Sequence, residues 1–172
     1  VVPWDVAYRG QLAKLFWELD RRAEALAEFE RITTYSPDNP KPYRQWAFAA
    51  ANFGDGASAI HAFERGLSAF PNDPDLTSEF AWTLATHPSP TVRNGRRAIE
   101  WAAKSAALRG TQSPAMVVLR AAAFAESGDF VAAQNCIRAG IQANPSARPA
   151  LEHMLAQMER HEPVRTAPKM PF

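Results

Sequence analysis

Apolar residues recur at intervals of three and four along this chain, and polar residues fill the positions between them. The N-terminal part shows the pattern twice, at Leu12, Leu15, Phe16 and Leu19 and again at Ala25, Phe29 and Ile32. This spacing places apolar side chains on one side of an α-helix. Strand-like alternation does not compete with it. The pattern therefore predicts an all-α chain of about nine helices.

Two stretches of the chain repeat one another at a spacing of 34 residues. They read ALAEFERITTYSPDNP (25–40) and AIHAFERGLSAFPNDP (59–74), and they align without a gap. A related stretch ends at Pro145, and the interval before it holds one further copy, which carries the insertion THPSPTVRNG (86–95). A period of this length is typical of units made of two helices and a turn. We therefore predict four such units, followed by an amphipathic final helix.

These units resemble the tetratricopeptide repeat family, which asks for small residues at three fixed positions, one aromatic residue and a closing proline. The second copy carries all five, as Ala47, Ala59, Phe63, Gly66 and Pro71. The first copy departs from the pattern at Ile32, the third lacks the aromatic residue and ends at Gly110, and the fourth has Ile137 in place of the aromatic residue. The resemblance covers roughly residues 5–161.

The resemblance implies a right-handed α-solenoid of antiparallel helix pairs, the tetratricopeptide superhelix. Its repeats would span about 6–39, 40–73, 74–112 and 114–147, with a capping helix at 147–161, all within one domain, 1–161. In each pair the small residues sit where the two backbones approach closely, and proline stops the second helix. We expect the proline-rich residues 162–172 to be disordered.

Charge and composition exclude several partners. The chain has 172 residues, with 19 Lys and Arg against 18 Asp and Glu, so its net charge of +1 gives no electrostatic case for nucleic acid. The single cysteine, Cys136, allows no internal disulfide, which favours the cytoplasm over a small secreted fold without settling the compartment. No apolar run reaches the length of a membrane span. The start at Val1 favours a segment of a larger protein, and residues 84–108 resemble a variant repeat of large bacterial proteins.

The resemblance also implies a concave groove that is lined by the first helix of each pair and holds a peptide or helix. Its groove positions fall on Lys14, Trp17, Lys41, Arg44, Gln45, Phe48, Asn52, Asp75, Glu79 and Trp82. The three aromatic residues in this set either contact a ligand or only pack, and the sequence leaves both alternatives open. The two acidic residues would repel a terminal carboxylate, so the chain does not match the clamp of chaperone-binding relatives. We expect a groove that is basic at one end and acidic at the other.

The insertion offers a second candidate surface. Arg93, Arg96 and Arg97 form a basic cluster beside a proline-rich loop, and loops on rigid scaffolds often carry recognition. The alternative is that these arginines are ordinary solvated surface charges.

Catalytic and metal-binding patterns are absent from the sequence. The four histidines form no HExxH or Cys/His cluster, and no phosphate-binding loop or nucleophile motif occurs. We therefore expect no enzyme, no cofactor and no metal site. The sequence favours a protein-interaction scaffold that binds a peptide or helix of a protein partner. The alternative is a structural domain that self-associates into a homo-oligomer.

Overall fold

A computed structural model gives the fold and describes residues 3–53, 56–111 and 113–165, the side chains from Tyr8 onward with Phe53 excepted. These residues form nine α-helices and no β-strand. The helices are α1 (Pro3–Glu18), α2 (Arg22–Tyr35), α3 (Pro40–Phe53), α4 (Gly56–Ala69), α5 (Pro74–Thr86), α6 (Gly95–Arg109), α7 (Pro114–Glu126), α8 (Phe130–Ala143) and α9 (Arg148–Glu159). A short 3₁₀ turn, Pro145–Ala147, precedes α9. The all-α architecture predicted from periodicity is confirmed.

Local chemistry explains where several helices begin. At α5 the Asp73 carboxylate accepts from the backbone N–H of Leu76 at 2.7 Å, and at α7 the Ser113 hydroxyl accepts from the N–H of Met116 at 3.3 Å. Such caps satisfy backbone donors that have no partner in the first turn. Between α7 and α8, Gly128 has φ +86°, a conformation that glycine adopts without a steric penalty. The sequence also predicts a turn of this kind between α3 and α4, at Gly54 and Asp55, and these two residues lie outside the described part of the chain.

The chain divides into two units between Leu76 and Thr77. In the first unit α1 packs on α2, α2 on α3 and α3 on α4. Alanines at the predicted close approaches are fully buried, as Ala13, Ala25, Ala47 and Ala59. Because alanine has only a methyl group, two helix backbones can come together at these positions.

An ionic cluster also fastens α1 to α2. Glu28 is buried, with 3% of its surface exposed, and one of its carboxylate oxygens accepts from Arg9 Nη1 at 2.7 Å. Its other oxygen pairs with Arg31 on the next turn of α2. The Arg9 guanidinium lies 4.9 Å from the centre of the Tyr35 ring, and the hydrogen bond to Glu28 raises the pKa of Arg9. Two guanidinium groups thus compensate the charge of a carboxylate that would be costly to bury alone.

In the second unit α6 packs on α7, α7 on α8 and α8 on α9. Gly140 of α8 lies so close to α7 that an added Cβ would meet Val117 Cγ1 at 2.5 Å. Leu151, Met154 and Met158 of α9 are buried, as the amphipathic pattern of the capping helix predicts. Residues 162–165 leave the helix, and 166–172 of the predicted tail lie outside the described residues. The predicted disorder of the tail and the single-domain boundary therefore stay predictions.

The prediction that the apolar residues of α1 share one side of the helix is wrong in part. Ala13 and Trp17 are buried, but Leu15 is 49% exposed and Leu19, just past the helix end, is 57% exposed. Tyr8 is 62% exposed on the same helix. The apolar residues of α1 therefore occupy two faces, because α2 covers only one of them.

Candidate functional site

The surface of α3 carries four of the predicted groove residues in one line. Lys41, Gln45, Phe48 and Asn52 are separated by four, three and four residues, which places them on one side of the helix. We call these four residues the α3 stripe. Lys41 and Gln45 are exposed, and Phe48 and Asn52 are half-buried. The stripe spans about 16 Å along the axis at 1.5 Å per residue.

The opposite side of α3 holds the stripe in place. Tyr43, Trp46, Ala47 and Ala50 are all at most 6% exposed. The Tyr43 ring meets the Phe70 ring edge-on at 5.5 Å, and Trp46 meets His61 of α4 in the same way. Trp46, at 3% exposure, is therefore part of the core. Because the back of α3 packs against α4 and Phe70, its polar face has a defined orientation.

Within the stripe, the polar groups differ in their availability. Asn52 Nδ2 donates to the backbone oxygen of Phe48 at 2.8 Å, so part of its amide is already engaged. Among the described residues, Lys41 has no carboxylate within 4.0 Å and the Gln45 side chain makes no hydrogen bond. A cation and a neutral amide are therefore available beside a partly exposed aromatic ring.

The two predicted groove residues on α1 behave differently. Lys14 is exposed and lies 3.9 Å from Glu18, an exposed pair of small energetic weight. Trp17 is only 4% exposed, and the Arg22 guanidinium lies 4.2 Å from the centre of its ring. Of the two alternatives for Trp17, packing is the one its position supports. An indole that is covered in this way has little surface left for a ligand.

Arg44 and Asp75, expected at opposite ends of the groove, are not separated. Arg44 of α3 forms an ion pair with Asp75 at the start of α5. Each side chain is about one third exposed, at 36% and 37%. Since the two charges neutralise one another locally, they do not act as a basic end and an acidic end. The pairing follows from the approach of the start of α5 to α3, which the sequence did not reveal.

In the second unit, α5 carries the remaining predicted groove residues. Glu79 and Trp82 are both half-buried and lie three residues apart, so they share one side of the helix. The backbone oxygen of Trp82 accepts from the Thr86 hydroxyl at 2.9 Å. Both side chains reach the surface, and contact between Trp82 and a ligand stays a prediction.

The predicted arginine patch divides by role. Arg93 Nη1 donates to the backbone oxygens of His87 and Pro88 at 2.8 and 2.7 Å, and its Nε donates to Glu126 Oε1 at 3.0 Å. The Arg93 side chain is only 16% exposed, so it organises the insertion instead of facing a partner. Arg97 lies over the Phe80 ring at 5.2 Å, and Arg96 is the exposed member of the three.

The insertion is held against the end of α7. An added Cβ on Gly95 would lie 2.5 Å from the backbone N and Cα of Ser127. Val92 is 1% exposed, and the N–H of Asn94 donates to the oxygen of Leu84 at 2.9 Å. The sequence did not predict this contact, because it joins the insertion to a residue more than 30 positions away.

Chemistry elsewhere is sparse in the described part of the chain. No group of three or more His, Cys, Asp or Glu side chains in it is placed to hold a metal ion. Cys136 is partly buried, and this burial raises the pKa of its thiol. Its Sγ lies 3.8 Å from the backbone oxygen of Val117, to which it donates a weak hydrogen bond. A raised pKa lowers the thiolate fraction, which disfavours a nucleophilic role.

None of the described helices has the length and hydropathy needed to cross a bilayer.

Comparison with known proteins supplies one relative and a fold. No family model matches the chain. The Hsp70-Hsp90 organizing protein of Triticum aestivum is 34% identical over 76 residues, which are 44% of this chain. The chain covers 13% of the length of that relative.

Solved structures of MamA share the fold. The MamA RS-1 ArsTM double mutant matches with a TM-score of 0.64 and 14% identity, over 91% of this chain and 89% of that one. MamA 41-end from Desulfovibrio magneticus RS-1 matches with a TM-score of 0.63 and 14% identity, over 91% and 90%. At such identities the likeness concerns the fold alone. It confirms the predicted fold class, an all-α helical repeat of the solenoid type.

Proposed function

We propose that this chain, a tetratricopeptide repeat protein by its repeats and its fold, binds a peptide or helical segment of a partner protein along the α3 stripe. The observation that carries the proposal is the stripe itself, a line of polar and aromatic side chains on a helix whose other face is core. A fixed line of donors beside an aromatic ring is suited to an extended or helical segment. The wheat relative is named for an organizing role, which agrees with an interaction module.

The chemistry of the stripe defines the segment that it would bind. Lys41 offers a positive charge, Gln45 one turn later offers both a donor and an acceptor, and Phe48 offers apolar area. The charge and the ring lie about 10 Å apart along the helix, at 1.5 Å per residue over seven residues. We therefore expect a segment with an acidic residue at one end and an apolar side chain about 10 Å away. Phe48 would supply most of the binding energy, because aromatic anchors usually do.

Peptide display tests this proposal and does not require an identified partner. A library of random peptides is selected on the immobilised chain, and the dissociation constants of the enriched peptides are measured by fluorescence anisotropy. We expect Phe48→Ala and Lys41→Ala each to weaken binding at least tenfold, about 1.4 kcal/mol. Val131→Ala is the matched control, because Val131 is an apolar residue of α8 with 69% exposure and lies outside the stripe. Peptides whose affinity is unchanged by both α3 substitutions would refute the proposal.

Arg96 provides a separate test of the second predicted surface. Because Arg93 is engaged within the insertion, Arg96 is the member of the patch that faces solvent. If the patch contributes to recognition, Arg96→Ala weakens binding of the selected peptides and the effect diminishes with added salt. An unchanged affinity assigns Arg96 to ordinary surface charge.

The expectation that this segment does not itself catalyse a reaction also stays a prediction.

A further inference from the structure

We propose that the end of α7 carries a binding site for an arginine-bearing extended segment, and that residues 163–165 of this chain occupy it. We call it the Glu126 site, after the last residue of α7, and we call its occupant, residues 163–165, the PVR segment. The Glu126 carboxylate meets two arginines from different parts of the second unit. Arg93 Nε donates to Oε1 at 3.0 Å, and Arg165 Nη1 lies 2.8 Å from Oε2. The site is separate from the α3 stripe, which belongs to the first unit.

The two arginines are held very differently. Arg93 also donates to the backbone oxygens of His87 and Pro88, and only 16% of its side chain is exposed. The side chain of Arg165 is 37% exposed. Among the described residues, its one other hydrogen bond goes to the backbone oxygen of the residue directly before it, at 2.8 Å. Arg93 is therefore part of the wall of the site, whereas Arg165 is the member that can be exchanged.

The wall of the site does not depend on Arg165. Gly95 of the insertion lies against the end of α7, because an added Cβ would be 2.5 Å from the backbone N of Ser127. The N–H of Asn94 donates to the oxygen of Leu84 at 2.9 Å, which fixes the insertion to α5 as well. The side chain of Glu126 is only 14% exposed. A carboxylate held in this way is preorganised to accept a guanidinium, since little freedom remains to be lost on binding.

The PVR segment makes the contacts of a bound peptide. It belongs to no helix, and Pro163 and Val164 are half-buried. Gln157 Nε2 of α9 donates to the backbone oxygen of Pro163 at 3.4 Å, so a side chain holds the main chain of the segment. A few placed polar groups beside an apolar contact are typical of ligand sites. These contacts define the ligand as an extended segment with an apolar residue directly before an arginine.

The end of α9 directs the PVR segment to this site. His161 has φ +58°, and the N–H of Glu162 donates to the oxygen of Gln157 at 3.2 Å. This hydrogen bond closes the end of the helix and turns the chain away from its axis. The His161 ring meets the Phe130 ring of α8 edge-on at 4.9 Å, which anchors the turn. The segment is thus tethered beside its site, at a local concentration in the mM range.

The exposure of Arg165 sets the expected strength. An ion pair with a partner that is more than one third exposed contributes little free energy, because water screens it. We therefore expect a free peptide of this sequence to bind with a dissociation constant of roughly 1 mM. The tethered PVR segment competes with any such peptide. A partner protein with the same chemistry would have to displace Arg165 before its own arginine reached Glu126.

Nuclear magnetic resonance titration of the full chain tests the site. The probe is the capped peptide HEPVRTA, which has the sequence of residues 161–167. With Arg165→Ala, the peptide should shift the Arg93 Nε–H and Ser127 N–H signals saturably. Its dissociation constant should be about fivefold lower than for the unsubstituted chain, because the competing arginine is gone. Arg138→Ala is the matched control, since it removes an exposed arginine that pairs with Glu159 at 3.3 Å, and it should bind the peptide as weakly as the unsubstituted chain.

Two further changes locate the contact. Adding Glu126→Gln to the Arg165→Ala chain should weaken peptide binding by about fivefold or more, because the charged acceptor is lost. Replacing the arginine of the peptide by alanine, as HEPVATA, should weaken binding by a similar factor. Circular dichroism verifies that each variant keeps its helical content. If Glu126→Gln unfolds the chain by releasing Arg93, the comparison of the two peptides on the Arg165→Ala chain becomes the deciding measurement.

Three results would overturn the proposal. If HEPVRTA binds the Arg165→Ala and unsubstituted chains equally, the PVR segment does not occupy the site. If no signal of the Arg165→Ala chain shifts up to about 10 mM peptide, Arg165 and Glu126 form only an intramolecular ion pair. If HEPVATA binds as tightly as HEPVRTA, the site does not recognise arginine.

Discussion

Gly95→Ala is the substitution whose effect follows most directly from the structure. Gly95 opens α6, and the Cβ that alanine adds would lie 2.5 Å from Ser127 N and Cα and 2.7 Å from the carbonyl carbon of Glu126. All three are backbone atoms, so no side-chain rotation relieves the contact. The end of α7 would have to move by roughly 1 Å to restore an ordinary separation of about 3.5 Å.

Two opposing terms set the expected magnitude. Forcing extra volume into a packed site costs about 1–3 kcal/mol. Replacing glycine by alanine returns about 0.5–1 kcal/mol, because the unfolded chain loses conformational freedom. The contact term is larger, so we expect a net loss of up to about 2.5 kcal/mol with a central value of about 1 kcal/mol, which corresponds to a fall of about 2–4 °C in melting temperature for a chain of this size.

Gly10→Ala is the matched control. Gly10 lies inside α1, and an added Cβ would meet nothing within 4 Å. The same change should therefore stabilise the chain by about 0.5–1 kcal/mol. Urea unfolding followed by circular dichroism measures both variants, and hydrogen exchange at Ser127 reports whether the loss is local to the insertion. If Gly95→Ala is as stable as Gly10→Ala, the contact between the insertion and α7 is not as close as we infer.

Two further substitutions and one chemical modification test other contacts. Gly140→Ala should lower the urea midpoint, because its Cβ would meet Val117. Adding Val117→Ala should recover part of the loss. If the effects of the two substitutions on the free energy of unfolding were strictly additive, the contact would be contradicted. Glu28→Gln should cost about 1–3 kcal/mol in unfolding free energy by weakening a buried charged hydrogen bond, whereas Glu24→Gln in an exposed pair leaves the midpoint unchanged. Iodoacetamide should alkylate Cys136 more slowly in the folded chain than in urea, because burial raises the thiol pKa. Equal alkylation rates in the folded chain and in urea would refute the burial. Because the folded pKa is raised, the thiol's contribution to stability is present below its unfolded pKa and is lost as pH rises towards the folded pKa.

Much of the fold could be predicted because its information is local and repeated. The recurrence of Phe29 at Phe63 after 34 residues identified two copies of one helical pair, and both rings are buried. Capping residues such as Ser113 act on the N–H groups of the next turn, so their effect can be read without knowing the rest of the fold. The small residues at close approaches were predictable for the same reason.

The candidate site was predictable only in part. The α3 stripe follows from helical periodicity, since Lys41, Gln45 and Phe48 must share a side of the helix. The ion pair between Arg44 and Asp75 joins residues of different helices, and nothing in their spacing indicates it. Arg93 likewise looked like a surface charge until its contacts within the insertion were visible.

The sequence by itself determined the helices, their ends and their repetition, because hydrogen bonding within a helix and the stripe of apolar residues depend on neighbours a few positions away. Only the tertiary structure decided which apolar faces are covered. Tyr8 and Leu76 occupy the same register, yet one is 62% exposed and the other 0%. The difference arises because burial depends on whether another helix lies against that face, which is a property of the packed chain and not of the residue.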